Sequence, residues 1–255
     1  MSENLRTQLT ALCTAAPFAT GLAVDVGGEQ FALNADYQFS AASIIKLGIA
    51  AYGHELWTAH QESLTALVEA TSTDIVGGAG LIRLLTPKRY PVADLLTLMI
   101  TVSDNTATNL LINRWGMTAI NDWLQAHYPG AQLERRLMAR NPAGENLVSA
   151  TAALHLLQDC LNADDAYWQV VQRALRHQTS QLKLTLPLAS GEFAGTWANK
   201  TGELADVEHD AARLMVNGQH ADCVLLTQFA VGQRGLAMRL QRQIGECLCQ
   251  YLNQQ

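Results

Sequence analysis

The sequence has few charged residues and no run of basic ones. Charged side chains make up 16% of its 255 residues, and the formal net charge is -6. Nucleic-acid-binding proteins usually carry a basic patch or stripe, which this sequence lacks. No stretch reaches the ~20 consecutive apolar residues that a membrane-spanning helix needs. We therefore expect neither a nucleic-acid nor a membrane partner, and we expect a monomer.

Cysteine is scarce, and the five cysteines are scattered along the chain at Cys13, Cys160, Cys223, Cys247 and Cys249. An odd number without metal-like pairing predicts reduced thiols in a cytosolic protein. Cys247 and Cys249 form a C-x-C in the last helical segment, but this pattern is common by chance. We expect no cofactor and no metal site.

The N-terminal segment also lacks the features of a secretory signal. It carries Glu3 and Arg6 among polar residues and has no continuous apolar region. We expect a cytoplasmic protein, or a periplasmic or secreted one if a signal has been removed.

Strand patterns occur near both ends of the chain, and helical patterns fill the middle. Gly27-Gly28 and Asn217-Gly218 stand between alternating segments and predict two hairpins. The predicted ranges are a helix over 3–15, strands over 20–25 and 30–34, a helix from 43 to about 69, further helices to about 186, strands over 195–200, 211–216 and 223–230, and a helix over 235–252.

This order predicts an α+β fold with one antiparallel sheet built from both chain ends, flanking helices and an inserted all-helical lobe. The α/β lobe is predicted over 1–42 and 187–255, and the helical lobe over 43–186. We expect the active site in the cleft between them, because ligand sites favour such junctions.

Three short motifs occur in order: Ser43-Ile44-Ile45-Lys46, Ser103-Asp104-Asn105 and Lys200-Thr201-Gly202. Each alone has a structural interpretation, because Ser43 could cap a helix, the second motif could be a helix cap or an Asx turn, and Lys200 could be a solvated strand end. A second S-x-x-K, Ser180 to Lys183, is interpreted as a chance match. The three motifs together are expected by chance on the order of once in ten thousand sequences.

The first motif has the residues of an activated nucleophile. A serine hydroxyl needs a group that removes its proton, and Lys46 lies one helical turn from Ser43, on the same face. Lys46 must be partly neutral to act as that base, and burial together with a second cation, Lys200, would lower its pKa. The start of a helix also favours a developing oxyanion.

The other two motifs suit proton transfer and substrate binding. Ser103 can carry a proton to a leaving nitrogen, and Asn105 can hold the lysine and a substrate amide. Lys200 and Thr201 suit a substrate carboxylate. Gly202 leaves room for a substrate to pair along a strand edge.

The motifs resemble those of the class A β-lactamase-like serine hydrolases. The segments MITVSDNTATNLLI (Met99–Ile112) and KTGELADVEHDA (Lys200–Ala211) are especially similar, and the resemblance runs from about residue 20 to the last helix. It implies a two-lobe fold and a small β-lactam or acyl-peptide substrate. The roles that it implies are acylated serine for Ser43, base for Lys46, proton shuttle for Ser103, carboxylate grip for Lys200 and Thr201, and oxyanion hole for the backbone N–H groups of Ser43 and Glu203.

One departure from the family concerns hydrolysis of the acyl-enzyme. Class A enzymes carry a glutamate within E-x-x-L-N that activates the attacking water, and residues 133–150 contain no such pattern. By spacing from Ser103, the glutamate position falls near Ala139. Glu134 and Glu145 are out of register, and Glu145 is expected to start the next helix. Without a base, the ester would be hydrolysed slowly, because general-base assistance contributes about 10²–10⁴-fold.

A second departure is His209, which falls where class A enzymes keep an arginine that helps hold the substrate carboxylate. Substrate binding and a structural hydrogen-bonding role are both open for it.

Three functions fit the motifs. The first is a β-lactamase, and the second is a D-Ala-D-Ala-type peptidase or an esterase/amidase. The third is a binding or sensing protein that is acylated with little turnover. The resemblance favours the first, whereas the missing glutamate and the missing signal count against it.

Overall fold

A five-stranded antiparallel sheet is the centre of the fold, and it is built from both ends of the chain. The computed structural model describes residues 1–86, 88–139 and 144–255. In this part of the chain the strands are β1 Ala19–Val26, β2 Glu29–Leu33, β3 Phe39–Ser40, β4 Leu67–Glu69, β5 Arg89–Pro91, β6 Ala131–Gln132, β7 Leu147–Val148, β8 Thr196–Glu203, β9 Val207–Val216 and β10 Gln219–Gln228. The large sheet has the order β2-β1-β10-β9-β8, so β8 is an edge strand.

Helices cover both faces of this sheet. In the described residues they are α1 Glu3–Ala15, α2 Ile45–Thr58, α3 Val92–Thr101, α4 Asn105–Trp115, α5 Met117–His127, α6 Ala150–Asn162, α7 Ala166–Arg176, α8 Leu186–Ala189 and α9 Arg234–Asn253. The predicted α+β class with a sheet from both chain ends is confirmed. None of these helices is long and apolar enough to cross a membrane.

The alternation of side chains along the strands divides the hydrophobic core in two. Leu22 and Val24 of β1 pack with α1 and α9 on one face, whereas Ala23 between them belongs to the core on the other face. That second core continues without a break into α2–α7. The division into lobes 1–42 with 187–255 and 43–186 stays a prediction.

Both predicted hairpins turn at the predicted residues. Gly27 and Gly28 have φ of 63° and 85°, and Asn217 and Gly218 have φ of 52° and 78°. Two successive residues with positive φ match the twist of paired strands, and glycine and asparagine adopt that conformation at least cost.

The predicted helix from Ser43 to about Glu69 is wrong beyond Thr58. After Thr58 the chain turns at His60, which has a φ of 57°. It then forms β4, which pairs with β5 in a small two-stranded sheet. Helical periodicity in the sequence does not distinguish this short strand, whose partner lies some twenty residues away.

Close packing of α9 against the chain before α8 supplies a stability test. A Cβ at Gly245 would overlap the carbonyl oxygen of Leu184. We expect Gly245→Ala to lower the free energy of unfolding by about 1–3 kcal/mol, because overpacking outweighs the better helix propensity of alanine. Chemical denaturation measures the change. Gly235→Ala on the same helix is the control, since nothing lies within 4 Å of its Cβ. Equal stability of the two variants would contradict this packing.

Candidate active site

Ser43 lies in a strained turn at the start of α2. It is the middle residue of a short 3₁₀ helix, Ala42–Ile44, that leads directly into α2. Ala42 has a φ of 46°, which is rare for a residue other than glycine and is typical of functional sites. Ile44 is the N-terminal boundary of α2, and no side chain caps this helix. The interpretation of Ser43 as a helix cap is therefore wrong.

Lys46 is completely buried behind the serine turn. Its Nζ lies 2.7 Å from the carbonyl oxygen of Ser103, 3.0 Å from Ser103 Oγ and 2.9 Å from Asn105 Oδ1. Burial, followed by the charge of Lys200, lowers the pKa of Lys46 well below its usual value, although Asp104 opposes the shift. A neutral amine can donate to the carbonyl and amide oxygens and still accept a proton from a serine hydroxyl.

The hydroxyl of Ser103 lies between two lysines. It is 3.0 Å from Lys46 Nζ and 3.1 Å from Lys200 Nζ. Ser103 joins α3 to α4 with a φ of 54°, a second strained backbone position at the site. A hydroxyl that contacts both amines can pass a proton between them or on to a third group.

Asp104 is the helix cap that the structural interpretation of the second motif offered, and it also holds a wall of the cleft in place. Its Oδ1 caps α4 by accepting the N–H of Ala107 at 2.9 Å. Its Oδ2 accepts the N–H groups of Leu81 and Ile82 at 2.7 and 2.8 Å. Asn105 adds a bond from its Nδ2 to the carbonyl oxygen of Gly77 at 3.2 Å. The second motif therefore ties the chain near residues 77–82 to the start of α4.

Lys200 and Thr201 lie on the free edge of the sheet. The buried Nζ of Lys200 donates to the carbonyl oxygen of Thr201 at 2.7 Å as well as to Ser103. Burial, followed by the charge of Lys183, lowers the pKa of Lys200 to about 7, and Asp210 and Glu203 oppose the shift. Lys200 therefore titrates in the neutral range.

Gly202 allows this edge strand to approach the serine turn. A Cβ at Gly202 would lie 3.1 Å from Ile44 Cγ1 and 3.2 Å from Ala42 Cβ. Such distances are tighter than most packed contacts, so a Cβ here would require the residues that flank Ser43 to shift by a few tenths of an ångström.

Lys183, the lysine of the second S-x-x-K, is completely buried behind β8. Its Nζ lies 2.7 Å from Glu208 and 3.0 Å from Glu203, and it donates to the carbonyl oxygen of His209 at 3.1 Å. Glu208 also pairs with Arg234. Lys183 has no bond to Ser180, so it supports the strand rather than activating that serine. No spacing pattern links it to partners twenty or more residues away.

His209 does not reach the cleft. Its Nε2 lies 2.9 Å from the carbonyl oxygen of Ser40, and its Nδ1 accepts the N–H of Thr227 at 3.2 Å. Burial lowers the pKa of His209 to about 4, although the hydrogen bond to the carbonyl oxygen of Ser40 acts in the opposite direction. Both ring nitrogens are used inside the protein, so the structure favours the structural role over substrate-carboxylate binding.

Residues from all three motifs line one cleft of about 490 Å³. Its lining includes Ser43, Ser103, Asn105 and Thr201, and also residues of the chain between β6 and β7. In that segment Ala139, the position expected from spacing, does not itself line the cleft. Leu137 and Met138 line the cleft, whereas Ala139 lines a separate depression.

Leu137 is fixed at the cleft by a pair of backbone hydrogen bonds. Asn109 accepts its N–H at 2.9 Å and donates to its carbonyl oxygen at 3.0 Å. An apolar side chain, which cannot act as a base, therefore lines the cleft here. Residues 140–143 of the segment lie outside the described residues.

Glu145 also lines the cleft and does not start a helix. The next helix, α6, begins at Ala150, and its cap is Ser149, which accepts the N–H of Ala152 at 3.1 Å. Glu145 instead pairs with Arg135, whose Nη2 lies 2.7 Å from its Oε1. Glu134, the other nearby acid, lines the depression with Ala139.

Comparisons with known proteins agree on one family and one fold. The sequence model described as the Beta-lactamase enzyme family matches residues 4–252. A β-lactamase structure from Sphaerobacter thermophilus DSM 20745 is 25% identical, with a TM-score of 0.84 over 100% of this chain and 99% of that one. A mutant of PBP-A, described as an acyl-enzyme complex with penicillin G, is 24% identical, with a TM-score of 0.86 over 99% and 97%. An ancestral class A β-lactamase is 21% identical, with a TM-score of 0.85 over 97% and 99%. A search of curated proteins finds no match.

The burial of His209 predicts a loss of stability in acid. Its pKa is about 4 in the folded protein and 6.5 as the ordinary value. Below pH 6.5 the unfolded chain takes up a proton that the folded chain does not. The stability that neutral His209 contributes is therefore fully present above pH 6.5 and is lost as the pH falls towards 4. It amounts to about 3 kcal/mol at most. Asp210, whose pKa is raised to about 6, acts in the opposite direction.

We expect His209→Gln to be less stable at pH 7 and to lose less stability between pH 7 and pH 4 than the original chain. Denaturant unfolding at several pH values measures both effects. His220→Gln, at an exposed position of β10, is the control and should change neither. The same pH dependence in the original chain and in His209→Gln would show that this histidine does not cause the acid loss.

Proposed function

The chain belongs to the β-lactamase enzyme family and is a serine hydrolase of that type, and we propose that Ser43 is the residue that its β-lactam substrates acylate. The observation that carries this proposal is the position of the Ser103 hydroxyl within 3.1 Å of both Lys46 and Lys200, in the cleft that Ser43 lines. Two amines and two hydroxyls at one cleft provide a proton path from a nucleophile to a leaving nitrogen.

Acylation begins with removal of the Ser43 proton by neutral Lys46. The Ser43 oxygen attacks the lactam carbonyl carbon, and the negative charge develops on the carbonyl oxygen. When the carbon–nitrogen bond breaks, Ser103 donates its proton to the nitrogen and takes one from the Lys46 ammonium. The products are an ester on Ser43 and a free amine, and Lys46 is neutral again.

Substrate binding uses the edge of β8. Protonated Lys200 and the hydroxyl of Thr201 hold the substrate carboxylate, and the backbone N–H groups of Ser43 and Glu203 bind the oxyanion. Asn105 acts mainly on the enzyme side, because its amide already contacts Lys46 and the carbonyl oxygen of Gly77. The proposed site needs no residue from a second copy of the chain, and we propose that the protein acts as a monomer.

A second function, acylation with little turnover, is favoured by one observation. Leu137 is an apolar side chain fixed against the cleft, where it can neither accept a proton nor hold a water by a hydrogen bond. Hydrolysis of the Ser43 ester then depends on another residue.

Replacing the nucleophile tests the proposed function. We expect the original chain to hydrolyse a chromogenic cephalosporin, and Ser43→Ala to lose the activity by 10³-fold or more, since about 10⁶-fold losses follow removal of other catalytic serines. Intact mass spectrometry with penicillin G should give an adduct on the original chain and none on Ser43→Ala. Ser180→Ala, in the other S-x-x-K, is the control for a general effect of losing a serine near the cleft. An adduct on Ser43→Ala would overturn the assignment.

The charge of Lys183 predicts a shift in the pH profile. Carboxylate binding needs protonated Lys200, so kcat/KM should fall as the pH rises through about 7. Lys183→Met removes a neighbouring cation and leaves the carboxylates of Asp210 and Glu203, which favour the charged form of Lys200. We therefore expect the alkaline limb of the profile to move up by about one pH unit. Lys183→Arg keeps the charge and should leave the limb in place. A Lys183→Met profile that is lower but not shifted would contradict this electrostatic role.

A further inference from the structure

The hydroxyl of Thr201 can hold a substrate carboxylate only if its proton is free to point into the cleft. A hydroxyl has one proton to donate and two lone pairs that accept. Lys200, the other group proposed to bind the carboxylate, has a pKa lowered to about 7, so a large part of it is uncharged at neutral pH. His209 adds no charge to the cleft, because both of its ring nitrogens are used inside the protein. Carboxylate binding therefore depends on where the Thr201 proton points.

Gln178 is the side chain that contacts this hydroxyl. It follows α7, lines the cleft and is only 1% exposed. Its Nε2 lies 3.3 Å from Thr201 Oγ1, and its Oε1 accepts the N–H of Ser180 at 2.7 Å. Gln178 thus joins the turn after α7 to the edge strand β8.

The hydrogen bond from Ser180 fixes which way round the Gln178 amide lies. A backbone N–H can only donate, so the amide atom that faces it is the oxygen. The amide nitrogen then faces Thr201, and this nitrogen can donate but cannot accept. Thr201 Oγ1 is therefore the acceptor of the bond, and its own proton points elsewhere. None of the described residues accepts that proton, which leaves it for a ligand in the cleft.

The turn that carries Gln178 is itself fixed beside Ser103. The N–H of Thr179 donates at 3.1 Å to the carbonyl oxygen of Thr101, two residues before Ser103. The carbonyl oxygen of Gln178 accepts Gln181 Nε2 at 3.1 Å. Because its backbone is held on both sides and its side chain is buried, Gln178 is in place before a substrate arrives.

We propose that Gln178 is a positioning residue that directs the Thr201 hydroxyl proton at the substrate carboxylate, and so sets a preference for carboxylate-bearing substrates. This inference rests on the proposed function, because it requires a β-lactam whose carboxylate lies at the edge of β8. The carboxylate keeps its charge throughout acylation. Gln178 therefore strengthens binding of the substrate and of the transition state equally, and it leaves the bond-making step unchanged.

Gln178→Met tests the proposal, because methionine fills a similar volume but cannot donate to Thr201. Rapid quenching and intact mass spectrometry measure the rate of adduct formation on Ser43 over a range of penicillin G concentrations. We expect the half-saturating concentration to rise about three- to tenfold and the limiting rate to stay within about twofold. With penicillin G methyl ester, whose carboxylate is blocked, the second-order rate constant should also stay within about twofold.

Gln178→Glu is a second variant, which keeps the size of the side chain and the bond to the N–H of Ser180. Its other oxygen can only accept, so it takes the Thr201 proton away from the cleft. The half-saturating concentration of penicillin G should rise more than in Gln178→Met, and a smaller rise would contradict the proposal.

Gln172→Met is the matched control. Gln172 is a buried glutamine of α7 whose Nε2 donates to the carbonyl oxygen of Ala163 at 2.6 Å, and it lies outside the described lining of the cleft. This variant should leave the half-saturating concentration of penicillin G unchanged. An equal rise in Gln172→Met and Gln178→Met would show a general loss of packing and overturn the role of Gln178.

A double-mutant cycle shows whether Gln178 acts through Thr201. Thr201→Val removes the hydroxyl, so adding Gln178→Met to it should raise the half-saturating concentration by less than about 1.5-fold more. Effects that multiply in full would overturn the proposal. The rise caused by Gln178→Met should also be the same at pH 6 and pH 8, because a hydroxyl does not titrate in this range. A displaced alkaline limb would place the effect on Lys200 instead and overturn the proposal.

The remaining outcomes also decide the question. If Gln178→Met slows acylation by penicillin G and by its methyl ester equally, Gln178 supports the structure of the site, and its positioning role is overturned while the Ser43 assignment stands. An unchanged half-saturating concentration for penicillin G would overturn the role as well. No adduct on the original chain would overturn the proposed function and this inference with it.

Discussion

Two buried lysines share one serine hydroxyl, and the rest of the site depends on this arrangement. Lys46 and Lys200 are both fully buried, and both contact Ser103 Oγ. Two ammonium groups at such a distance in a poorly solvated site repel each other strongly, so at least one of them is driven to its neutral form. A neutral amine beside a serine can act as a base. An isolated or exposed lysine is protonated at neutral pH and could not do so.

The fold keeps this unfavourable arrangement in place by supporting it from several directions. Positive φ angles at Ala42 and Ser103 put both serines at sharp turns, and such backbone strain persists only where the surroundings fix it. Asp104 fixes one turn through the chain at Leu81 and Ile82. The buried Lys183 fixes the facing strand end from behind. Because the core of the helical part continues onto the sheet, these supports belong to one packed body.

The sequence predicts the features that arise from local patterns and leaves out those that depend on distant contacts. Alternation, paired glycines and Asn217-Gly218 were sufficient to predict the hairpins, and motif order was sufficient to predict which residues meet in the cleft. The end of α2, the strand pair β4–β5 and the partners of Lys183 depend on residues twenty or more positions apart, which no local pattern contains. The residues of that loop that line the cleft, Leu137 and Met138, precede the expected Ala139 by one or two positions, and the hydrogen bonds from Asn109 that fix Leu137 there come from another element.

Strand β8 packs tightly against the serine turn at Gly202, so this position tolerates substitution less well than the residue that follows it. A Cβ at Gly202 would require Ile44 or Ala42, the two residues that flank Ser43, to give way by a few tenths of an ångström. The next residue, Glu203, has a half-exposed side chain at the mouth of the same cleft. That side chain pairs with Lys183, so a change there also alters the charge balance around the buried lysines behind the strand.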